Sequence, residues 1–115
     1  MGIQNVSEDV FLVTLPKGPY LGDELEAVNG VVSEDCERDV IIDFSRVEML
    51  TSENICSLMI LNKYLSGFGH QLVLYSVPSE IQHIFSRTGL EALFTFADDE
   101  YDALQTVRRA SCLYG

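Results

Sequence analysis

Residues 39–65 read DVIIDFSRVEMLTSENICSLMILNKYL, and the parsing of this stretch decides the fold. Val40-Ile41-Ile42 is a compact β-branched run closed by Asp43 and Phe44. A run that short, bounded by charge, reads as a strand buried on both faces. Thr51 and Ser52 then stand directly before a long apolar segment containing Ile55, Leu58, Met59, Leu61 and Leu65. Ser and Thr are favoured N-caps, because their oxygens accept from backbone N–H groups that the first helical turn leaves unpaired. The reading is strand, short turn, then a hydroxyl at the mouth of a helix spanning Ser52 to Ser66. Such a hydroxyl serves either as a cap or as a place to attach a phosphate, and the residues alone leave both open.

Outward from this unit, the pattern alternates. Val10 to Leu15 (VFLVTL) is a β-prone run stopped by Pro16 and Gly18-Pro19, so a first strand or hairpin ends there. Leu25, Val28 and Val32 follow at helical spacing, with Asn29-Gly30 weakening that helix by about 1 kcal/mol for Gly relative to Ala. After the central strand and helix, Gly67 and Gly69 provide a stop, and Gln71 to Val77 (QLVLYSV) is a second buried-type strand. Pro78 is expected at the first helical position of SEIQHIFSR, whose apolar stripe is Ile81, Ile84 and Phe85 and whose end is Thr88-Gly89. Leu93 to Phe96 (LFTF) is expected as a short strand. Asp98-Asp99 caps a last helix in which Leu104 and Val107 face inward and Arg108-Arg109 complement the dipole. The order β, α, β, α, β, α, β, α implies an α/β fold with a mostly parallel sheet and right-handed crossovers. Ligands in such sheets sit outside the carboxyl ends of the strands, where Thr51 and Ser52 lie.

The totals exclude several classes of function. At 115 residues the chain is expected to be one domain, with a core over about residues 10–107 and a tail at 108–115. Eighteen acidic against seven basic residues give a formal net charge of -11. That balance works against nucleic acid and anionic membrane surfaces, where Lys and Arg must neutralise phosphates, and favours a basic protein partner. Cys36, Cys56 and Cys112 form no CxxC pair, and His70 and His83 are not at metal-ligand spacing with them, so no metal site is expected. Cys56 reads as a small core residue inside the apolar helix. The start MGIQNVSEDVF has no signal-peptide pattern, its formal match to a myristoylation motif lacks polybasic neighbours, and no apolar run approaches the ~20 residues of a membrane span. A cytoplasmic location is the expectation. GxSxG and GxxxxGK[ST] are both absent, so neither a nucleophile elbow nor a phosphate-cradling loop argues for an enzyme, and no cofactor is expected.

Asp43-Phe44-Ser45 at the end of a strand, an apolar pair before Thr51-Ser52-Glu53-Asn54, an apolar helix and the Gly67 to Gly69 turn follow one another in order. Pro78-Ser79-Glu80 then opens a helix that Thr88-Gly89-Leu90 closes. This succession resembles the STAS domain, named for sulphate transporters and anti-sigma factor antagonists, over roughly residues 10–107. The resemblance implies one α/β STAS-like domain with a mixed, mostly parallel sheet of about four to five strands and four helices packed mainly on one face. It also implies a non-enzymatic module that binds an anti-sigma factor or switch-protein kinase, is switched off by phosphorylation, and is restored by a phosphatase. The family's Asp-Ser-Ser-Gly motif falls on Thr51, Ser52, Glu53 and Asn54, and only Ser52 keeps the family's residue type. Ser52 is thus the phosphoacceptor by resemblance, with Thr51 second, and Glu53 adds a fixed negative charge beside it. Partner contact is assigned to Asp43, Ser45, Thr51, Ser52, Glu53, Asn54, Ser57 and Leu61, with Asn54, Ser57, Leu61 and Tyr64 read as the exposed face of the helix, whose apolar members fit the core equally well.

Blander readings stand beside these. Ser52 can be an N-cap and nothing more, Glu53 an acidic first-turn residue, and Asp43 a turn-forming carboxylate beside Ser45. His83 reads as packing or surface rather than a catalytic base. Two rival functions remain: a structural STAS subunit of a signalling assembly with an unphosphorylated, degenerate site, or a pocket for a lipid or nucleotide. The oligomeric state is open.

Overall fold

The computed structural model describes the backbone of residues 2–7, 10–16, 21–34 and 38–114, and the side chains of residues 10–16, 21–34 and 38–107. Two strands, β1 (Gly2–Ser7) and β2 (Val10–Thr14), precede helix α1 (Leu21–Glu34). Strand β3 (Asp39–Asp43), helix α2 (Ser52–Gly67), strand β4 (Leu72–Tyr75) and helix α3 (Ser79–Arg87) follow. A 3₁₀ turn at Leu90–Ala92, strand β5 (Thr95–Ala97) and helix α4 (Glu100–Tyr114) complete the chain.

The five strands lie in sequence order, β1-β2-β3-β4-β5. β1 and β2 pair antiparallel, with a bulge between Asn5 and Ser7, and every other pair is parallel. Sequential order with right-handed crossovers places every connecting helix on the same face. The packing agrees. Phe11, Val13, Val40, Ile42, Leu72 and Leu74 share one core with buried residues of α1, α2 and α3, whereas Val10, Leu12, Ile41, Val73 and Tyr75 pack with Ala103 and Val107 of α4. The period-2 alternation along each strand serves two cores, which is why Val40, Ile41 and Ile42 are all fully buried. Phe85 of α3 anchors the larger core, in edge-to-face contact with Phe44, Phe94 and Phe96.

Several expectations shift. Of the two alternatives at the start of the chain, a strand or a hairpin, the hairpin is present: β2 pairs antiparallel with β1 on one side and parallel with β3 on the other. The helix expected through Asn29-Gly30 is present as α1, because the face formed by Leu21, Leu25, Val28 and Val32 is buried and outweighs the propensity cost. Pro78 is the N-cap rather than the first helical residue, with ψ of 149°. The strand expected at Leu93 to Phe96 begins two residues later: Leu93 belongs to the turn and is exposed, while Phe94 is buried. Gly69 (φ 79°) and Gly89 (φ 74°) are the left-handed residues that close α2 and α3. Asp99 caps α4 by accepting from Asp102 N–H at 2.8 Å. The side chains of Arg108, Arg109 and Cys112, and all of Cys36, lie outside the described residues.

Candidate functional site

The carboxyl end of β3 is shaped by local hydrogen bonds. Asp43 Oδ1 accepts from Ser45 N–H at 2.8 Å, an Asx turn that redirects the chain. Buried Phe44, Val47 and Leu50 pin the loop that follows, and Val47 N–H donates to Phe44 C=O at 3.0 Å. This loop delivers Thr51, not Ser52, as the N-cap of α2. Thr51 Oγ1 accepts from Asn54 N–H at 3.2 Å, and Asn54 Oδ1 accepts from Thr51 N–H at 3.1 Å. The pair is a capping box with Asn in place of Glu or Gln. The pattern T-x-x-N was available in the sequence and identifies the cap.

Ser52 is therefore the first helical residue. Its side chain is exposed and takes no part in the cap. The N–H groups of Thr51 and Asn54 are satisfied by the box and that of Ile55 by Thr51 C=O, which leaves those of Ser52 and Glu53 as the open donors of the first turn. The bland reading of Ser52 as a cap is corrected: the cap exists, one residue earlier. Thr51, the second candidate, is exposed, but its oxygen is already engaged in the box.

Two assigned contact residues are corrected. Leu61 is fully buried and Asn54 is 7% exposed, so neither belongs to an outer face. The inward seam of α2 is Asn54, Leu58, Leu61 and Leu65, and at 100° per residue the opposite side carries Cys56, Met59, Ile60 and Lys63. Cys56 is accordingly exposed, not the core residue expected. α2 is apolar nearly all round, so periodicity could not orient it. Ser57 is half-buried, and its carbonyl accepts from Asn29 Nδ2 at 3.3 Å, tying α2 to α1. Tyr64 is exposed as expected, as is His83.

Around this helix start, the first turns of α1, α2 and α3 converge on an open groove of about 1120 Å³. Asp23, Glu48, Glu53 and Glu80 line it together with the hydroxyls of Ser45, Thr51 and Ser79. Ser52 stands beside Thr51 and Glu53 of this wall without itself lining it. Sequence reasoning missed Asp23 and Glu80, which come from segments about thirty residues to either side, and found Ser45, Thr51 and Glu53. Four carboxylates on one groove favour a cationic group and oppose a nucleotide or anionic lipid headgroup. On the opposite side of the same sheet edge, burial raises the pKa of Tyr75, and the charges of Asp43 and Glu100 and a hydrogen bond with Glu100 raise it further. Among the described residues, no group of three or more His, Cys, Asp or Glu is placed to hold a metal ion, and no helix is long and apolar enough to cross a membrane.

The fold is similar to that of several solved proteins. A Ser-to-Glu variant of RsbS from Moorella thermoacetica aligns at 15% identity over 95% of both chains, with a TM-score of 0.78. The anti-sigma factor antagonist SpoIIAA in its unphosphorylated form aligns at 17% identity over 92% of this chain and 94% of its own, with a TM-score of 0.75. An anti-sigma-factor antagonist (STAS) domain protein from Planctomyces limnophilus aligns at 18% identity over 94% of this chain and 99% of its own, with a TM-score of 0.73. No protein-family model and no curated protein matches the sequence. At these identities the comparison establishes the fold: this chain has the STAS fold expected from its motifs.

Proposed function

We propose that the chain is a non-enzymatic regulatory module of the anti-sigma factor antagonist kind, which binds an anti-sigma factor or switch-protein kinase over the start of α2. Phosphorylation of Ser52 ends that complex, and a phosphatase restores it. One observation carries the reading: Ser52 presents an exposed hydroxyl at the first position of α2, and the Thr51–Asn54 box leaves it free of any capping duty. Support also comes from the STAS fold shared with named anti-sigma factor antagonists, one of them solved in a form described as unphosphorylated.

The physics of such a switch is direct. A phosphate brings nearly two negative charges and three acceptor oxygens. The open N–H groups of Ser52 and Glu53 and the positive end of the helix dipole accommodate that charge, so the domain stays folded. A partner seated across the same spot meets both the cost of burying the phosphate and a groove whose negative charge has grown. Cationic side chains on the partner fit Asp23, Glu48, Glu53 and Glu80 in the unmodified state. ATP and Mg²⁺ belong to the kinase, and the chain itself supplies only the acceptor.

The test is incubation with purified anti-sigma factor kinases, ATP and Mg²⁺, read by intact mass, with binding compared for Ser52→Ala and Ser52→Asp. The expected result is a gain of one phosphate that Ser52→Ala abolishes, retained binding by Ser52→Ala and lost binding by Ser52→Asp. Binding without any modification of Ser52 or Thr51 would sink the switch and favour the structural-subunit role.

A further inference from the structure

The groove at the carboxyl end of the sheet joins two kinds of surface. Buried Leu21, Val47 and Ile81 form its floor, and Pro78 and Met49 stand at its lip, with Met49 71% exposed. Its walls carry Asp23 from the first turn of α1, Glu53 from that of α2 and Glu80 from that of α3. All three are exposed, and none is ion-paired among the described residues. No Lys or Arg among the described residues lines the groove. Each carboxylate also suits its own helix start, but a helix N-terminus carries only about half a positive charge. Three such ends offset about half of three carboxylates, and Glu48 adds a fourth, so the groove stays negative. The carboxylates stand on separate helices, and no acidic, His or Cys cluster among the described residues is placed to hold a metal ion, so one small cation does not satisfy them together. At about 1120 Å³ the groove also exceeds the roughly 300–1,000 Å³ of small-molecule pockets.

We propose that this groove receives a short segment of a protein partner in which Lys or Arg stands on both sides of a bulky apolar side chain. The apolar side chain lies over the floor against Met49 and Pro78, while the flanking cations reach Asp23, Glu53 and Glu80 on the three walls. Met49 suits that contact, because an unbranched thioether adapts its shape to whatever covers it. Charge decides the occupant. A second copy of a chain with a net charge of -11 is repelled, as is a nucleotide or an anionic headgroup, whereas a cationic segment is drawn in. The inference rests on the partner-docking reading above and adds the chemistry of the docked segment. Ser52 flanks the groove without lining it, so the seated segment and the surface pressed on Ser52 are separate parts of the partner. A phosphate at Ser52 blocks the second and spares the first.

The experiment measures, by fluorescence anisotropy with the full chain, the binding of a short synthetic Lys peptide with a central Leu pair. The expected dissociation constant is about 10–100 μM in about 0.1 M salt, at least about fivefold weaker in about 0.5 M salt. An all-Lys peptide of equal charge binds at least about fivefold more weakly, for want of the apolar contact. Glu53→Lys and Glu80→Lys each weaken binding about three- to tenfold, and Met49→Ser about threefold. Glu53→Gln and Glu80→Gln are the second variants should a first-turn lysine lower helicity by circular dichroism. Glu34→Lys and Glu91→Lys, at exposed sites outside the groove, change the net charge equally and leave binding within about twofold. Ser52→Asp leaves peptide binding within about threefold. Absence of binding, equal binding of the all-Lys peptide, or equal weakening by groove and distant reversals overturns the segment, the last by showing general attraction to an acidic chain. Loss of the peptide with Ser52→Asp overturns its separate seating. The peptide reports on the groove and the phosphate gain on Ser52, so the two readings fail separately.

Discussion

Replacing Thr51 and Ser52 separately by alanine distinguishes the cap from the presented hydroxyl. Thr51→Ala removes the oxygen that accepts from Asn54 N–H at 3.2 Å. Loss of such a cap costs about 1 kcal/mol, with a range of roughly 0.5–2. The reciprocal bond from Thr51 N–H to Asn54 Oδ1 survives in this variant, which keeps the cost near the middle of that range. Ser52→Ala removes an exposed hydroxyl outside the box, so its effect stays within about 0.5 kcal/mol. Ser52→Asp puts a negative charge on the first turn and stabilises by about 0.3–1 kcal/mol at low ionic strength, an effect that salt screens. Urea unfolding followed by far-UV circular dichroism resolves these differences, provided the slope is unchanged among the variants. In thermal unfolding a 1 kcal/mol loss in a chain of this size appears as a shift of about 3–6 °C. Equal costs for Ser52→Ala and Thr51→Ala, or a loss above about 1 kcal/mol for Ser52→Asp, would show that Ser52 helps to hold the helix start and that the separation of cap from switch is wrong.

Three further outcomes follow from the core and the turns. Phe85→Ala, which removes a fully buried ring touching Phe44, Phe94 and Phe96, costs about 3–5 kcal/mol in chemical denaturation, and a loss under about 1 kcal/mol contradicts the packing. Gly69→Ala, at φ 79°, costs about 1 kcal/mol or more through backbone strain alone, because no atom lies within 4 Å of the added Cβ; a neutral result refutes the left-handed geometry. The Tyr75 pKa is raised above its ordinary value of 10.0, so above pH 10 the unfolded chain releases that proton more readily than the folded one. Stability from this group is intact below pH 10 and declines as pH rises beyond it, and absorbance titration compared with Tyr75→Phe should show the Tyr75 ring ionising above the ordinary tyrosine range.

Much of the site was legible because it is local. The Asx turn at Asp43 and Ser45 and the start of α2 at Ser52 each depend on residues within three positions of one another. The cap was misplaced by one residue because Thr51 and Ser52 are equally good cap types, and only the reciprocal bond with Asn54 separates them. The orientation of α2 was misread for a different reason. Ile55, Cys56, Leu58, Met59, Ile60 and Leu61 surround the helix with apolar side chains, so the sequence carries almost no directional signal, and Leu61 was set outside and Cys56 inside. A strand or a hairpin ending at Pro16 is equally compatible with the sequence, because GIQNVS lacks a strong alternation, and only the pairing of β1 with β2 decides for the hairpin.

By itself, the sequence determined the alternating elements, the parallel sheet, the strand doubly buried at Val40 to Ile42, and a hydroxyl at the start of the following helix. Those features arise from short-range periodicity, turn chemistry and capping, which act over one to four residues. The tertiary structure alone decided which side of α2 faces water, that α4 covers the sheet face opposite the other three helices, and that Asp23, Glu48, Glu53 and Glu80 line one groove. The reason is that burial and charge convergence depend on how whole elements pack against each other, and a helix apolar on every side acquires an inside and an outside only when its neighbours choose one.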